Sequence, residues 1–275
     1  MTERLEEIAG RLANIREIGE IVGALRVIAT AHQGEARTAL TAVRAYSETV
    51  GAALARALAA EGAHPARGLG PGLAVVIGAA QGFSGAYSDR LAHAATEAQA
   101  AGDRLVVLGG RTQSALAAAG VPVAWAADMP VHPAAVPGMA STLADAILDN
   151  LGPPGPVRLI AADPDTPGQP VTERPVFPPE TPTTPVAPPG LTTLPGTELL
   201  AALLPETLFA ALCRALLEGI AAENTARAEA MANAMTSIKR QTAAMTVAWQ
   251  QARQERATDE LIELVSAGDA LRRQQ

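Results

Sequence analysis

All 21 prolines of this 275-residue chain fall between Pro65 and Pro205. Proline has no backbone N–H, and its ring clashes with the preceding turn, so it breaks helix interiors. The first 64 residues and the last 70 carry none. Both ends are therefore free to form long helices, and the middle is not. Composition agrees. The apolar fraction is 48%, yet aromatics make up only 3%, a balance that suits Ala- and Leu-rich helices better than a globule packed on large rings.

The amino-terminal stretch places Leu5, Ile8, Leu12, Ile15, Gly19, Val22, Leu25 and Ala29 at steps of three and four, the spacing of a coiled-coil seam. Thr2 suits an N-cap, and the helix is expected to run to about Gly62, roughly 90 Å. Gly19, Gly23, Gly34 and Gly51 weaken it by about 1 kcal/mol each relative to Ala, so it needs a partner. At the other end Met231, Met235, Ile238, Thr242, Met245, Trp249 and Ala252 keep the same rhythm. Leu261, Leu264, Val265 and Leu271 continue an apolar face after a shift in phase. From Glu206 to Leu271 this is again close to 100 Å of helix. Two arrangements fit the pattern: an antiparallel pair of end helices with a domain inserted between them, or two separate helices packed on a globular core.

The middle alternates strand and helix. Strands are expected at Leu73–Ile77, Leu105–Leu108, Val121–Trp125 and Val157–Ile160, and helices at Ala86–Ala101, Arg111–Ala119 and Ser141–Leu151. This alternation implies a largely parallel sheet. Pro164–Pro195 is proline-dense and reads as an extended loop or loose hairpin. A further helix begins at Leu199, with Pro205 at a kink or restart. The boundaries expected are 1–62 for the first helix, 70–195 for the α/β domain with its Pro-rich segment 164–195, and 199–275 for the last helix.

Several function classes are excluded. A net charge of -7 and a pI near 5.2 argue against nucleic acid as a partner. Met1–Arg11 is charged and lacks the apolar core of a signal peptide. The most apolar stretch, Leu199–Ala222, is interrupted by Pro205, Glu206, Arg214 and Glu218, so no clean apolar run of about 18 residues is present. The expectation is a soluble or peripheral protein. Cys213, the single cysteine, reads as a small buried hydrophobe. His32, His64, His93 and His132 show no metal-ligating spacing, and Asp163 and Asp165 flank Pro164 in what reads as a turn. No metal, cofactor or catalytic residue is expected.

Gly82-Phe83-Ser84-Gly85-Ala86 approaches a nucleophile elbow. A hydrolase would also need an acid and a later histidine, and only His93 and His132 follow Ser84. The same turn lacks the lysine of a phosphate loop, because the sole lysine is Lys239. A tight strand-to-helix turn is the simpler reading. Arg26, Arg37 and Arg44 dot the first helix, and Arg240, Arg253 and Arg256 the last.

Both ends resemble one family. Leu5-Glu6-Glu7-Ile8-Ala9-Gly10-Arg11-Leu12 and Ile21-Val22-Gly23-Ala24-Leu25-Arg26-Val27-Ile28-Ala29 look like the opening of the gamma subunit of F-type ATP synthases. Leu212-Cys213-Arg214-Ala215-Leu216-Leu217-Glu218 resembles that family's Leu-Tyr-Arg-Ala-Leu-Leu-Glu, and Glu223, Arg227, Ala230 and Met231 follow its pattern. Ala252-Arg253-Gln254, Thr258, Glu260-Leu261, Glu263 and Val265-Ser266 track its closing motif. Gln81-Gly82-Phe83-Ser84-Gly85 is a weaker likeness in the centre.

The resemblance implies an α/β protein in which a long antiparallel coiled coil of N- and C-terminal helices carries an inserted small Rossmann-like α/β domain. It implies a non-catalytic rotor, or central-stalk, subunit that couples ion flow through the membrane c-ring to conformational cycling of the beta subunits. Its partners would be the alpha and beta subunits of the catalytic hexamer, the epsilon subunit and the c-ring. Its place would be the cytoplasmic face of a bacterial inner membrane. Arg253, Gln254, Thr258 and Glu260, with Arg26 on the opposing helix, would meet the beta-subunit loops that catch the shaft. The alternatives are a coiled-coil adaptor of another complex and a serine hydrolase using Ser84. The sequence also departs from the family. Gly23 replaces a lysine, His32 stands at another basic position, Ala80 and Gln81 replace Asp-Arg, Leu25 replaces Met, and Ser88 replaces Asn. These changes suggest a diverged branch with its own alpha and beta partners.

Overall fold

A computed structural model describes residues 2–62, 71–150, 155–177 and 192–272, with side chains for 5–62, 71–148, 155–177 and 192–265. Helix α1 (Thr2–Glu61) opens the chain and helix α5 (Gly196–Arg272) closes it. Between them lie β1 (Leu73–Ile77), α2 (Tyr87–Ala100), β2 (Arg104–Leu108), α3 (Gly110–Ala118), β3 (Trp125–Ala127), α4 (Val136–Asp145), β4 (Val157–Ala162) and β5 (Val171–Phe177). Two compact units result: residues up to Val27 with those from Glu229 onward, and Ile28–Ala228.

The first unit is an antiparallel helix pair. A Cβ built on Gly19 would stand 3.3 Å from Ile238 Cγ2, and one on Gly23 would stand 3.5 Å from Met235 Cε. Each step up α1 is thus matched by a step down α5. The seam follows the sequence rhythm. Leu5, Ile8, Leu12, Ile15, Gly19, Val22 and Leu25 on α1 are all buried or half-buried, as are Met231, Met235, Ile238, Thr242, Met245, Trp249 and Ala252 on α5. Off the seam, Ile18, Ile21 and Val27 are exposed. Gly19 is more than a weak point in a helix: its missing side chain lets Ile238 close on the α1 backbone. The later apolar residues behave differently. Leu261, Ile262, Leu264 and Val265 are all exposed, and the Leu271 side chain lies outside the described residues.

The second unit is a five-stranded sheet in the order β3-β2-β1-β4-β5. β1 to β4 are parallel, and β5 returns antiparallel to β4. Alternate residues of each strand face opposite layers. Leu73, Val75, Ile77, Val106, Leu108, Val157 and Leu159 join a core with Leu212, Leu216 and Ile220 of α5, Leu40 of α1 and Leu143 of α4. Ala74, Val76, Leu105, Val107 and Ile160 face Leu91 and Ala95 of α2 and Leu116 of α3. The central strands are buried on both faces and read as unbroken apolar runs for that reason.

Some elements differ from expectation. The third strand begins at Trp125, because Val121 and Val123 are spent packing against the α2–α3 layer and Pro122 has no N–H to give a ladder. The helix expected at Ser141 begins at Val136, with proline tolerated in its first turn. The Pro-rich segment is a hairpin as far as Phe177; residues 178–191 lie outside the described residues. β5 keeps Pro175 because it is an edge strand. α5 runs unbroken through Pro205, so the helix neither stops nor restarts there.

Helix α5 is long and apolar enough, by length and composition alone, to cross a membrane, although Pro205, Glu206 and Arg214 interrupt its apolar stretch. In the fold Leu208, Leu212 and Leu216 of that helix are covered by the sheet. Cys213 is buried, and burial pushes its thiol up to about 11.

Candidate functional site

The residues expected to meet a partner lie on the first unit. Arg253, Gln254, Thr258 and Glu260 are all exposed on two successive turns of α5. The Arg253 guanidinium lies 5.5 Å above the half-buried Trp249 ring, an arrangement worth about 0.5–1 kcal/mol at an exposed site. Thr258 Oγ1 donates to the Gln254 carbonyl at 3.0 Å. Arg256 Nε donates to Glu260 Oε1 at 2.8 Å, so Glu260 carries a partner on its own helix. The surface there is a strip of alternating charge and amide, with Leu261, Ile262, Leu264 and Val265 exposed just beyond it.

Arg26 is not part of that strip. The pairs Gly19–Ile238 and Gly23–Met235 have residue numbers summing to 257 and 258, which sets Arg26 level with about residue 231. Arg253 is then about 30 Å away along the pair at 1.5 Å per residue. The structure therefore separates the expected contacts into two patches at different heights.

The two remaining arginines singled out on α1 act within the second unit. Arg37 Nη2 donates to the Pro164 carbonyl at 2.8 Å, and Arg44 Nη2 pairs with Asp165 Oδ2 at 2.8 Å. Buried Glu218 accepts from Arg214 Nε at 2.8 Å and also pairs with Arg174. These charges pin α1 to the β4–β5 turn and α5 to strand β5. The turn itself is closed by Asp163, whose carboxylate accepts from the Asp165 N–H at 2.9 Å and from Thr166 Oγ1 at 2.6 Å.

The loop after β1 is where a phosphate or a nucleophile would sit, and its own protein groups fill it. Glu223 of α5 accepts from the Ala80 and Gln81 N–H groups, each at 2.9 Å. Those are the donors that a phosphate loop turns toward its anion; here a carboxylate of the same chain takes them. Arg227 pairs with Glu223, donates through Nε to the Gly82 carbonyl at 3.1 Å and through Nη1 to Asn224 Oδ1 at 2.7 Å. Glu223, Asn224 and Arg227 are all buried. Thr112 Oγ1 takes the Ala79 N–H at 2.9 Å. Burial pushes the Tyr87 phenol up, helped by Glu223.

Ser84 does not form a nucleophile elbow. It is buried, and the strained positive φ of 63° belongs to exposed Phe83. His93 is exposed beside Glu97 at 3.7 Å, and the His132 ring packs on His32. Among the described residues neither histidine touches Ser84. The motif that looked like chemistry is a turn clamped by Glu223 and Arg227. That i, i+4 pair was visible in the sequence only as part of a family pattern, and its job depends on a loop some 140 residues away.

The likeness to known proteins covers the same architecture. The profile of the family described as ATP synthase matches residues 4–271. The gamma chain of ATP synthase from Methylobacterium sp. (strain 4-46) is 43% identical over 74 residues, 27% of this chain and 25% of that protein. The Campylobacter jejuni (strain RM1221) gamma chain is 38% identical over 77 residues, 28% of this chain and 26% of that protein. The aligned segments thus span about a quarter of those relatives' length. Among solved structures, a chain of the Euglena gracilis mitochondrial ATP synthase OSCP/F1/c-ring assembly superposes with a TM-score of 0.74 at 14% identity, covering 98% of this chain and 95% of that one. A chain of the Tetrahymena thermophila central stalk and c-ring gives 0.55 at 14% identity, covering 78% and 99%. At such identity the superpositions speak for the fold alone. The profile match, running through both end helices and the sheet between them, makes this chain a member of the ATP synthase gamma-chain family.

Proposed function

We propose that this chain is the central-stalk rotor subunit of an F-type ATP synthase and performs no bond chemistry itself. In this reading it couples ion flow through a membrane c-ring to conformational cycling of catalytic beta subunits. It works with alpha, beta and epsilon subunits, peripherally, on the cytoplasmic side of a bacterial inner membrane. The observation that carries the reading is the antiparallel pairing of the two chain ends in a fixed register, with exposed side chains on its outer faces. A shaft that shows different faces to successive beta subunits biases each one's conformational equilibrium in turn.

Within that reading Arg253, Gln254, Thr258 and Glu260 form one contact patch for the beta-subunit loops, and Arg26 forms a second at another height. The thinned basic residues at Gly23 and His32 fit a complex with its own alpha and beta partners. The test is affinity capture of the tagged chain from native membranes. Recovery of alpha and beta subunits encoded beside it supports the assignment. Recovery of neither, or of an unrelated complex, favours the adaptor reading. Housekeeping alpha and beta subunits at normal stoichiometry would remove the separate-complex idea and leave the rotor reading intact.

A further inference from the structure

The sequence gives no metal-ligating spacing among its histidines, yet the fold gathers two of them. His32 and Glu35 lie three residues apart on α1 and so share one helix face. His132 comes from the segment between β3 and α4, one hundred residues later. The ligand atoms of His32, Glu35 and His132 all lie within 4.8 Å of one another. The two imidazole rings meet edge to face, with centroids 4.9 Å apart and an interplanar angle of 83°.

We propose that His32, Glu35 and His132 bind one divalent transition-metal ion of the zinc class. Two imidazole nitrogens and one carboxylate oxygen suit zinc and its neighbours. Calcium and magnesium prefer all-oxygen shells. Ligands at about 2.0–2.1 Å in a tetrahedron stand about 3.3 Å from one another, so closing the site brings the ligand atoms at most about 1.5 Å nearer one another.

The backbone is already set. His32 and Glu35 sit on a continuous helix. His132 is held extended at φ -122° and ψ 144°, as the residue before Pro133 must be, and its carbonyl accepts from the Ala135 N–H at 3.1 Å. Glu35 and His132 are exposed and His32 is half-buried, which leaves the fourth metal position to water. An ion there clips α1 to the β3–α4 segment and stabilises the folded chain by mass action.

The test is titration of the purified full chain with Co2+, followed by Zn2+ competition and thermal melts. The expected result is one Co2+ per chain with visible d–d bands, displaced by Zn2+, and a Zn2+-dependent rise in melting temperature. His32→Gln and His132→Gln are each expected to weaken binding about tenfold or more, while His93→Gln leaves it unchanged. Melts in chelator show whether each variant is folded. Absence of saturable binding by the wild-type chain, or equal binding by folded His132→Gln, overturns the proposal; in either case the two rings are only a stacked pair.

Discussion

Glu223 and Arg227 stand one turn apart on α5, both buried, and between them they hold the backbone of Ala80, Gln81 and Gly82. Helix and loop are thereby joined at the end of the central strand, where an open α/β sheet would otherwise have a crevice. Removing one member of a buried pair strands the other's charge. Glu223→Ala is expected to lower stability by about 3–5 kcal/mol. The double variant with Arg227→Ala should lose less than the sum of the two single losses, because the second change removes the orphaned guanidinium. Urea denaturation of the four proteins in the cycle measures this.

Gly219 and Gly34 make an internal comparison. A Cβ on Gly219 would fall 2.3 Å from Ile77 Cγ2 and 3.0 Å from Met129 Cε, whereas one on Gly34 meets nothing within 4 Å. Gly219→Ala should destabilise by about 1–3 kcal/mol through overpacking between α5 and β1. Gly34→Ala should stabilise by up to about 1 kcal/mol through helix propensity. Thermal melts of the two variants should shift in opposite directions.

The register of the end helices is testable by cross-linking. With Cys213→Ser as background, Gly19→Cys paired with Ile238→Cys should oxidise readily to an intrachain disulfide, since their side-chain positions are in contact. Gly10→Cys paired with Ile238→Cys lies more than two turns out of register and should not. Mobility on a non-reducing gel distinguishes them, and equal oxidation of both pairs would contradict the register.

Asp163 supplies a pH dependence. Its carboxyl is held below the ordinary value of 3.8, first by the Thr166 hydroxyl and then by the Asp165 N–H. A depressed folded-state pKa means stability that is fully present above 3.8 and lost as pH falls through the lower folded value. Thr166→Ala removes the largest cause. The variant should therefore be less stable than the wild type by a constant amount between about pH 5 and 8, and the difference should shrink as pH falls through the acid range. Melting temperature measured against pH for both proteins checks this.

Much of this fold is legible in the sequence because few forces compete along it. Proline exclusion and the three-four rhythm of Leu12, Ile15, Met235 and Ile238 act locally and point to one pairing. The run Leu73–Ile77 is buried on both faces and can hardly be anything but a central strand. What was illegible depends on contacts distant in sequence. Val121 and Val123 look like strand residues, but they serve as packing against a neighbouring layer. Arg37 and Arg44 look like solvated surface until the β4–β5 turn brings Asp165 to them. The separation of Arg26 from Arg253 follows from the register alone, which periodicity does not supply. His32 and His132 lie too far apart in the chain for any spacing rule to join them.

The central claim concerns a shaft that turns, so observing rotation tests it most directly. The alpha and beta subunits encoded with this chain would be assembled with it and fixed to a surface, with a probe on an exposed residue of the Ile28–Ala228 unit. Supplying ATP should then drive stepwise rotation of the probe in one direction, and Arg253→Ala with Gln254→Ala should slow it while the chain stays folded, its melting temperature falling only slightly with the lost Arg253–Trp249 contact. ATP hydrolysis at full rate by such an assembly with a stationary probe would contradict the account.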